Sequence, residues 1–295
     1  MLDVRRLRLL RELALRGTIV SVADALAFSP SAVSQQLSVL EREAGVPLLE
    51  RTGRSVALTP AARALVEHAE VVLERLERAE AELADARQGL SGPVRIGAFP
   101  SATRAIVLAA SRALAMAHPG LTPMVSEVDP ADVGDALRAG ELDLALVHDY
   151  DFVPFPAEPG IVDEPLCTEG MYLASTTGVG ELAACRNEPW IVASPGTRCH
   201  AMTVRACEAA GFTPIVRHRV DEFDTVLAFV AAGEGVALLP ELGTVRPPDG
   251  VRLSRLPLRR RTRVAFRAGA GTHPSVRAAI DALRAALPVQ LAAGN

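Results

Sequence analysis

Apolar residues recur at helical spacing from the first turn of the chain: Leu2, Leu7, Leu10, Leu13 and Ala14, followed by Gly17 where a C-cap would stand. A short second segment, Val20, Ala23 and Leu26, precedes a third helix that Ser29 would cap, Pro30 would start and Gly45 would close. The third helix has two unlike faces. Val33, Leu37, Leu40 and Ala44 share one side, whereas Ser31, Ser34, Gln35 and Ser38 share the other. Small hydroxyls and amides, in place of the long charged side chains usual on a solvated face, approach a surface closely and hydrogen-bond base edges or phosphates. Two helices joined by a tight turn, the second with such a face, make a helix-turn-helix; an ordinary three-helix subdomain with a polar face gives the same pattern.

Residues 47–58 then read as two extended pieces, Leu48 to Arg51 and Ser55 to Leu58, around Thr52-Gly53-Arg54. A hairpin tip flanked by Arg51 and Arg54 beside a reading helix is a wing aimed at phosphates or a minor groove; either arginine alone fits a solvated turn equally well. Thr59-Pro60 opens a helical pattern unbroken until Gly89, in which Leu65, Ala69, Val72, Leu76, Ala79, Leu83, Ala86 and Leu90 alternate at spacings of four and three. A strict heptad packs on another helix by knobs into holes, so this seam predicts a dimer, with packing on the larger half of the chain as the alternative. Paired reading heads suit half-sites one or more helical turns apart.

The stretch from Val22 to Ala62, VADALAFSPSAVSQQLSVLEREAGVPLLERTGRSVALTPAA, with the linker helix after it, resembles the N-terminal part of LysR-type transcriptional regulators. Gln35 stands where many members carry arginine, Leu49 where phenylalanine is usual, and Ala62 where glycine often follows the proline. The resemblance implies that Pro30, Ser31, Ser34, Gln35, Ser38, Arg51, Thr52 and Arg54 meet double-stranded DNA. It also implies a homodimer, usually assembled into a homotetramer, and a two-lobed, periplasmic-binding-protein-like α/β domain for the rest of the chain, controlled by a small-molecule effector.

Gly89-Leu90-Ser91-Gly92-Pro93 is a hinge by composition. The expected organisation is a winged helix-turn-helix over 1–58, a dimerising linker helix over 59–88, a hinge over 89–92 and a regulatory domain over 93–295. Its first lobe would span about 93–162 and 268–295, and its second about 163–267. After the hinge, extended and helical patterns alternate as βαβαβ, which predicts a mostly parallel sheet, and a second α/β series follows with strands centred near 170–174 and 263–266 among others. Open parallel sheets take ligands at the carboxyl ends of their strands. The residues there are Pro100, Ser101, Ala102 and Thr103, His148 and Asp149, Ser194 and Thr197, with Phe223 starting a helix of the second lobe. In the resembled family these places line the effector cleft, and a small, anionic metabolite is expected. Ser101 and Thr197 are equally the residues a helix start takes for its own cap. His148 read alone is more often a surface or interface histidine.

Composition sharpens this reading. The 295 residues are 49% hydrophobic and 22% charged, with a net charge of -4, and the 31 basic residues are all arginine. Such a chain supports two domains with proper cores, and disordered, collagenous and disulfide-scaffold classes are excluded. The acidity is local: residues 1–58 hold 8 arginines against 6 acids, net +2, whereas 59–88 and 89–295 are each net -3. DNA affinity is therefore expected to lean on several heads per complex and on a few placed arginines. Arginines 5, 6, 8, 11 and 16 interrupt any signal-peptide core, and no run approaches the ~18 apolar residues of a membrane span, so a cytoplasmic protein is expected. Cys167, Cys185, Cys199 and Cys207 lack C-x-x-C spacing and the histidines are scattered; neither metal nor cofactor is expected.

Three other readings compete. An enzyme would need a motif, but no G-x-S-x-G occurs, Cys199 and His200 are adjacent and point apart, and Gly269-Ala270-Gly271 lacks a third glycine. A thiol redox switch would use Cys199 and Cys207, since peroxide-sensing members of the resembled family use a cysteine pair in the second lobe. Eight helical residues would hold these two about 12 Å apart, against a limit of about 7 Å for a disulfide. A purely DNA-organising protein would leave the α/β half without a purpose.

Overall fold

The computed structural model describes residues 1–52, 55–85, 90–244 and 247–292. Gly53 and Arg54 at the expected hairpin tip, Ala86 in the heptad and Gly89 in the hinge lie outside the described residues.

Helices α1 (Val4–Arg16), α2 (Ile19–Ala25) and α3 (Pro30–Ala44) make the head. Each starts on a side-chain oxygen supplied locally: Asp3 accepts from Arg5 N–H, Thr18 from Ser21 N–H and Ser29 from Ala32 N–H. Gly17 and Gly45 end α1 and α3 in the left-handed conformation, at φ 74° and 70°. Between α2 and α3 the left-handed position falls to a residue with a Cβ, Ala27 at φ 54°, and Phe28 N–H donates to the Ala23 carbonyl at 2.9 Å. Leu10, Leu37 and Leu40 close on Val22, Ala23 and Leu48 in one core. Strands β1 (Leu49–Thr52) and β2 (Ser55–Leu58) pair antiparallel. The Glu41 carboxylate accepts from Leu48 and Leu49 N–H at 2.9 and 3.0 Å, which fixes the hairpin to the end of α3.

Thr59 caps α4 (Pro60–Asp85) by accepting from Ala62 N–H at 3.1 Å. The heptad then divides. Leu65 and Ala69 pack into the head's own core, because the first turns of α4 lie against α1; this corrects their expected place in an intermolecular seam. Val72, Leu76 and Leu83 are 39%, 43% and 66% exposed, and Ala79 is exposed between them. A charge network joins the head to the larger half. Glu12, fully buried, accepts from Arg11 Nη2 at 2.6 Å and Arg16 Nε at 2.9 Å. Arg16 continues to Asp135 at 2.9 Å, Arg8 donates to the Arg138 carbonyl at 2.6 Å, and Glu77 of α4 holds Arg267 at 2.7 Å.

Strands β3 (Gly92–Ala98), β4 (Leu121–Glu127) and β5 (Leu144–Tyr150) are parallel, as βαβαβ requires. Between β3 and β4, α5 (Pro100–Ala102) passes through a π-helical turn, Thr103–Val107, into α6 (Leu108–Ala117); α7 (Val133–Ala139) leads back to β5. The main departure from the sequence pattern is a pair of long strands. β6 (Ile161–Ser175) and β10 (Arg252–Arg267) pair antiparallel along nearly their whole length, where the pattern predicts only short pieces. Charges at Arg255, Arg259, Arg261, Asp163 and Glu164 hide their apolar alternation. Both strands belong to one six-stranded sheet, β4-β3-β5-β10-β6-β9, with β9 at Ala237–Pro240. They run through both lobes: Cys167 and Val264 join the core of the first, around Ile96, Ile106 and Ile280, and Met171 and Leu256 that of the second, around Trp190 and Met202. The second lobe adds a parallel pair, β7 (Pro189–Val192) and β8 (Ile215–Arg219), with α8 (Arg198–Ala209) and α9 (Phe223–Ala231). α10 (Pro274–Ala285) returns to the first lobe.

Glu12→Ala would leave two guanidiniums without their buried partner, and is expected to lower unfolding free energy by about 3–5 kcal/mol. Urea unfolding followed by circular dichroism checks this; a loss below about 1 kcal/mol would mean the network carries no stability.

Candidate effector cleft and DNA-reading face

On α3, Pro30, Ser31, Ser34, Gln35 and Ser38 are exposed together, opposite the buried Val33, Leu37 and Leu40. Ser31 Oγ lies 3.0 Å from the capping Ser29 Oγ. Arg51 and Thr52 end β1, and their side chains, like the whole of Arg54, lie outside the described residues. Much of the head's positive charge is engaged internally. Arg6 pairs with Glu43 and donates to Gln36, Arg8 reaches the Arg138 carbonyl, and Arg11 and Arg16 hold Glu12.

The cleft between the lobes is built by strand alternation. Arg260 of β10 lies opposite Tyr150 of β5 on one side and Glu169 of β6 on the other; two residues along, Thr262 lies between His148 and Cys167. Side chains two apart share a face, so these six project together. The cavity above them is 430 Å³ and is lined by Phe99, Ser101, His148, Thr197, Phe223 and Arg260 among others. Arg260 is 1% exposed, donates to Glu169 at 2.7 Å and to Ser101 Oγ at 3.1 Å, and stacks its guanidinium 4.8 Å from the Phe99 ring centroid. Burial works most strongly against its charge, but the Glu169 carboxylate, with Tyr150 and Cys199 beside it, raises its pKa. His148 is 4% exposed, with Phe99 and Tyr150 edge-on to it at 4.6 and 5.1 Å, and neither ring nitrogen has a hydrogen-bond partner among the described residues. Burial, then the charges of Arg260 and Arg198, push its pKa well below the ordinary histidine value, so it is neutral, with one N–H donor and one acceptor nitrogen. At the rim, Arg104 of the first lobe meets Asp224 of the second at 2.6 Å.

Of the expected contacts, Pro100, Ser101, His148, Thr197 and Phe223 line this cavity. Four do not, and each is a correction. Ala102 is buried in the first lobe's core, and the Thr103 hydroxyl donates back to the Phe99 carbonyl at 3.2 Å. Asp149, one residue from His148, falls on the opposite face of the sheet, where Arg261 holds it at 3.1 Å. Ser194 is bound through its N–H and hydroxyl to Asp221, at 2.7 and 2.6 Å. Thr197 does cap α8, accepting from His200 N–H at 3.2 Å and donating to the Ser194 carbonyl at 2.8 Å. Sequence reasoning misses Phe99, Arg104 and above all Arg260. The last sits inside Arg259-Arg260-Arg261, which reads as solvated until the register of β10 turns its middle member inward.

Cys199 also lines the cleft, with its sulfur 3.0 Å from the Tyr150 hydroxyl, and burial raises its pKa. Cys207 lies on the same unbroken α8, fully buried, and burial with Cys185 nearby pushes it up to about 12. The described residues contain no cluster of three metal-ligating side chains, and no helix among them is long and apolar enough to cross a membrane.

Residues 4–63 match the signature of the bacterial regulatory helix-turn-helix protein, lysR family, and residues 87–288 match the LysR substrate binding domain. The chain is 31% identical over 257 residues to the HTH-type transcriptional regulator TfdS of Cupriavidus pinatubonensis, covering 84% of this chain and 85% of that one. It is 30% identical over 272 residues to a Mycobacterium avium protein titled "Probable hydrogen peroxide-inducible genes activator", covering 86% and 85%. The full-length C199D variant of OxyR from Pseudomonas aeruginosa has the same fold, with a TM-score of 0.61 at 24% identity over 96% of this chain and 98% of that one.

The buried neutral His148 has a thermodynamic consequence. Below about pH 6.5 the unfolded chain takes up a proton that the folded site refuses, so this contribution to stability is complete above that pH and is lost as pH falls, by up to about 1.4 kcal/mol per unit. Urea midpoints near pH 7.5 and pH 5.5 are expected to differ more in the native chain than in His148→Gln; equal differences would remove His148 as the source.

Proposed function

Because the chain belongs to the LysR family of transcriptional regulators, we propose that it binds operator DNA as a dimer under control of a small metabolite bearing an acidic group, held between its lobes. The units are a head over 1–58, a linker helix over 59–88, a hinge over 89–92 and a regulatory domain beyond. The observation that carries the reading is His148, 4% exposed yet with two nitrogens that find no partner among the described residues, lining a cavity whose floor also holds Ser101 and Arg260. A buried polar group without a partner costs about 1–3 kcal/mol, which a bound ligand recovers. Ser101 accepts from Arg260, so its own proton is free to donate to an acid.

On the DNA side, Ser31, Ser34, Gln35 and Ser38 form the surface that meets base edges, with Pro30, Arg51, Thr52 and Arg54 towards the backbone. Val72, Leu76, Ala79 and Leu83 supply the apolar stripe for a second copy, and dimers pair into tetramers. Closing the cleft would shift the angle between paired heads. The thiol-switch reading, which the peroxide-inducible relative raises, finds less support: an unbroken helix separates Cys199 from Cys207, and burial keeps both protonated.

Footprinting on the DNA upstream of the chain's own coding sequence is expected to give paired half-sites, lost in the Ser34→Ala, Gln35→Ala double variant. Screening metabolites by thermal shift should find one whose stabilisation disappears in Ser101→Asp. Unchanged affinity in that variant would refute the cleft as the effector site.

A further inference from the structure

The cleft has two chemically opposite ends. Its floor offers buried donors, the Ser101 hydroxyl, Arg260 and His148. Its rim carries four carboxylates, Glu127 and Asp129 from the first lobe and Asp221 and Glu222 from the second. Among the described residues lining the rim, the one guanidinium, Arg104, is taken by a fifth carboxylate, Asp224, and Arg198 beside the cleft is turned to the His148 and Val153 carbonyls. Asp221 and Glu222 already accept protein hydrogen bonds, from Ser194 and from Thr225 N–H, and Asp129 accepts from Ala131 N–H; a carboxylate that accepts one such bond has lone pairs to spare. Glu127 is exposed at the end of β4.

A plain dianion or a phosphate ester would place its second charge among these carboxylates, where like charges repel. A neutral apolar molecule would satisfy the floor and leave the rim's repulsion untouched. We propose that the effector is amphoteric: a small molecule with one acidic group, seated on Ser101, His148 and Arg260, and one basic group, an ammonium or guanidinium, seated among Glu127, Asp129, Asp221 and Glu222. This rests on the cleft being the effector site and names the class of its ligand.

The placement also supplies a reason for closure. The rim carboxylates come from opposite lobes, so bringing the lobes together brings like charges together. A cation between them removes that penalty only in the closed state, and differential affinity of this kind is what shifts a conformational equilibrium. The apolar walls, Phe99, Val128 and Phe223, accommodate a short carbon skeleton between the two charged groups.

The test uses the full chain and matched probes on one skeleton: individual amino acids, the corresponding monocarboxylates, the corresponding amines and the corresponding dicarboxylates, each measured by calorimetry. An amino acid is expected to bind at least tenfold more tightly than its carboxylate or amine partner. Glu127→Gln should weaken the amino acid about fivefold, the worth of a partly exposed ion pair, and leave the carboxylate unchanged. Dicarboxylates or monocarboxylates binding more tightly than amino acids, or no amino acid binding at all, would overturn the assignment. If a dicarboxylate binds and Ser101→Asp abolishes it, the cleft stands as the effector site and only the ligand class fails; if Ser101→Asp leaves every binder unaffected, the site itself is wrong.

Discussion

The antiparallel pairing of β6 with β10 is the constraint from which the cleft follows. Strands hydrogen-bonded about 4.8 Å apart keep a register in which a slip of one residue turns every side chain to the other face. Such a slip would carry Arg261 to the floor and Arg260 to solvent, and it would separate Arg260 from Glu169, its buried counter-charge. Burying that pair is expensive, and breaking it more so, because either partner alone is an uncompensated charge. The ion pair therefore fixes the register, and the register places His148, Tyr150 and Cys167 around it. Since both strands pass through both lobes, the same pairing is the structural connection across which any opening or closing takes place.

The head was legible because its instructions are local. Ser29-Pro30 and Gly45 mark the ends of α3 by cap chemistry that needs no partner elsewhere in the chain, and the apolar spacing of α1 and α3 states which side is buried. The linker heptad was legible as a helix and only half legible as a surface. Leu65 and Ala69 satisfy the same periodicity as Val72 and Leu76, and what separates them is α1, which reaches the first two and not the second. In the larger half, strand ends led to Ser101, His148, Thr197 and Phe223, but the rule is blind to strand parity and so took Asp149 with His148. Arg260 was hidden for a stronger reason. Its inward turn depends on β-pairing with residues about a hundred positions away, and nothing within the arginine run itself distinguishes its middle member.

Charge in this protein serves structure before it serves any partner. The head's small formal excess of arginine is largely absorbed by Glu12, Glu43 and the first lobe, which leaves a reading helix faced with hydroxyls and amides. Arginine suits this work better than lysine would. Arg16 reaches Glu12 with Nε and Asp135 with Nη1, a two-ended contact that a single ammonium on a flexible stem makes poorly.

The turn at Ala27 gives the reading helix its aim. A left-handed backbone angle on a residue with a Cβ costs roughly 1 kcal/mol that glycine would not incur, yet alanine leaves the unfolded chain fewer conformations than glycine does. Four residues, Leu26 to Ser29, set the direction in which α3 leaves α2, and Ala27 is the one among them whose angle is costly to enter. A connection of this kind leaves the exposed face of α3 fewer alternative directions than a glycine at the same position would.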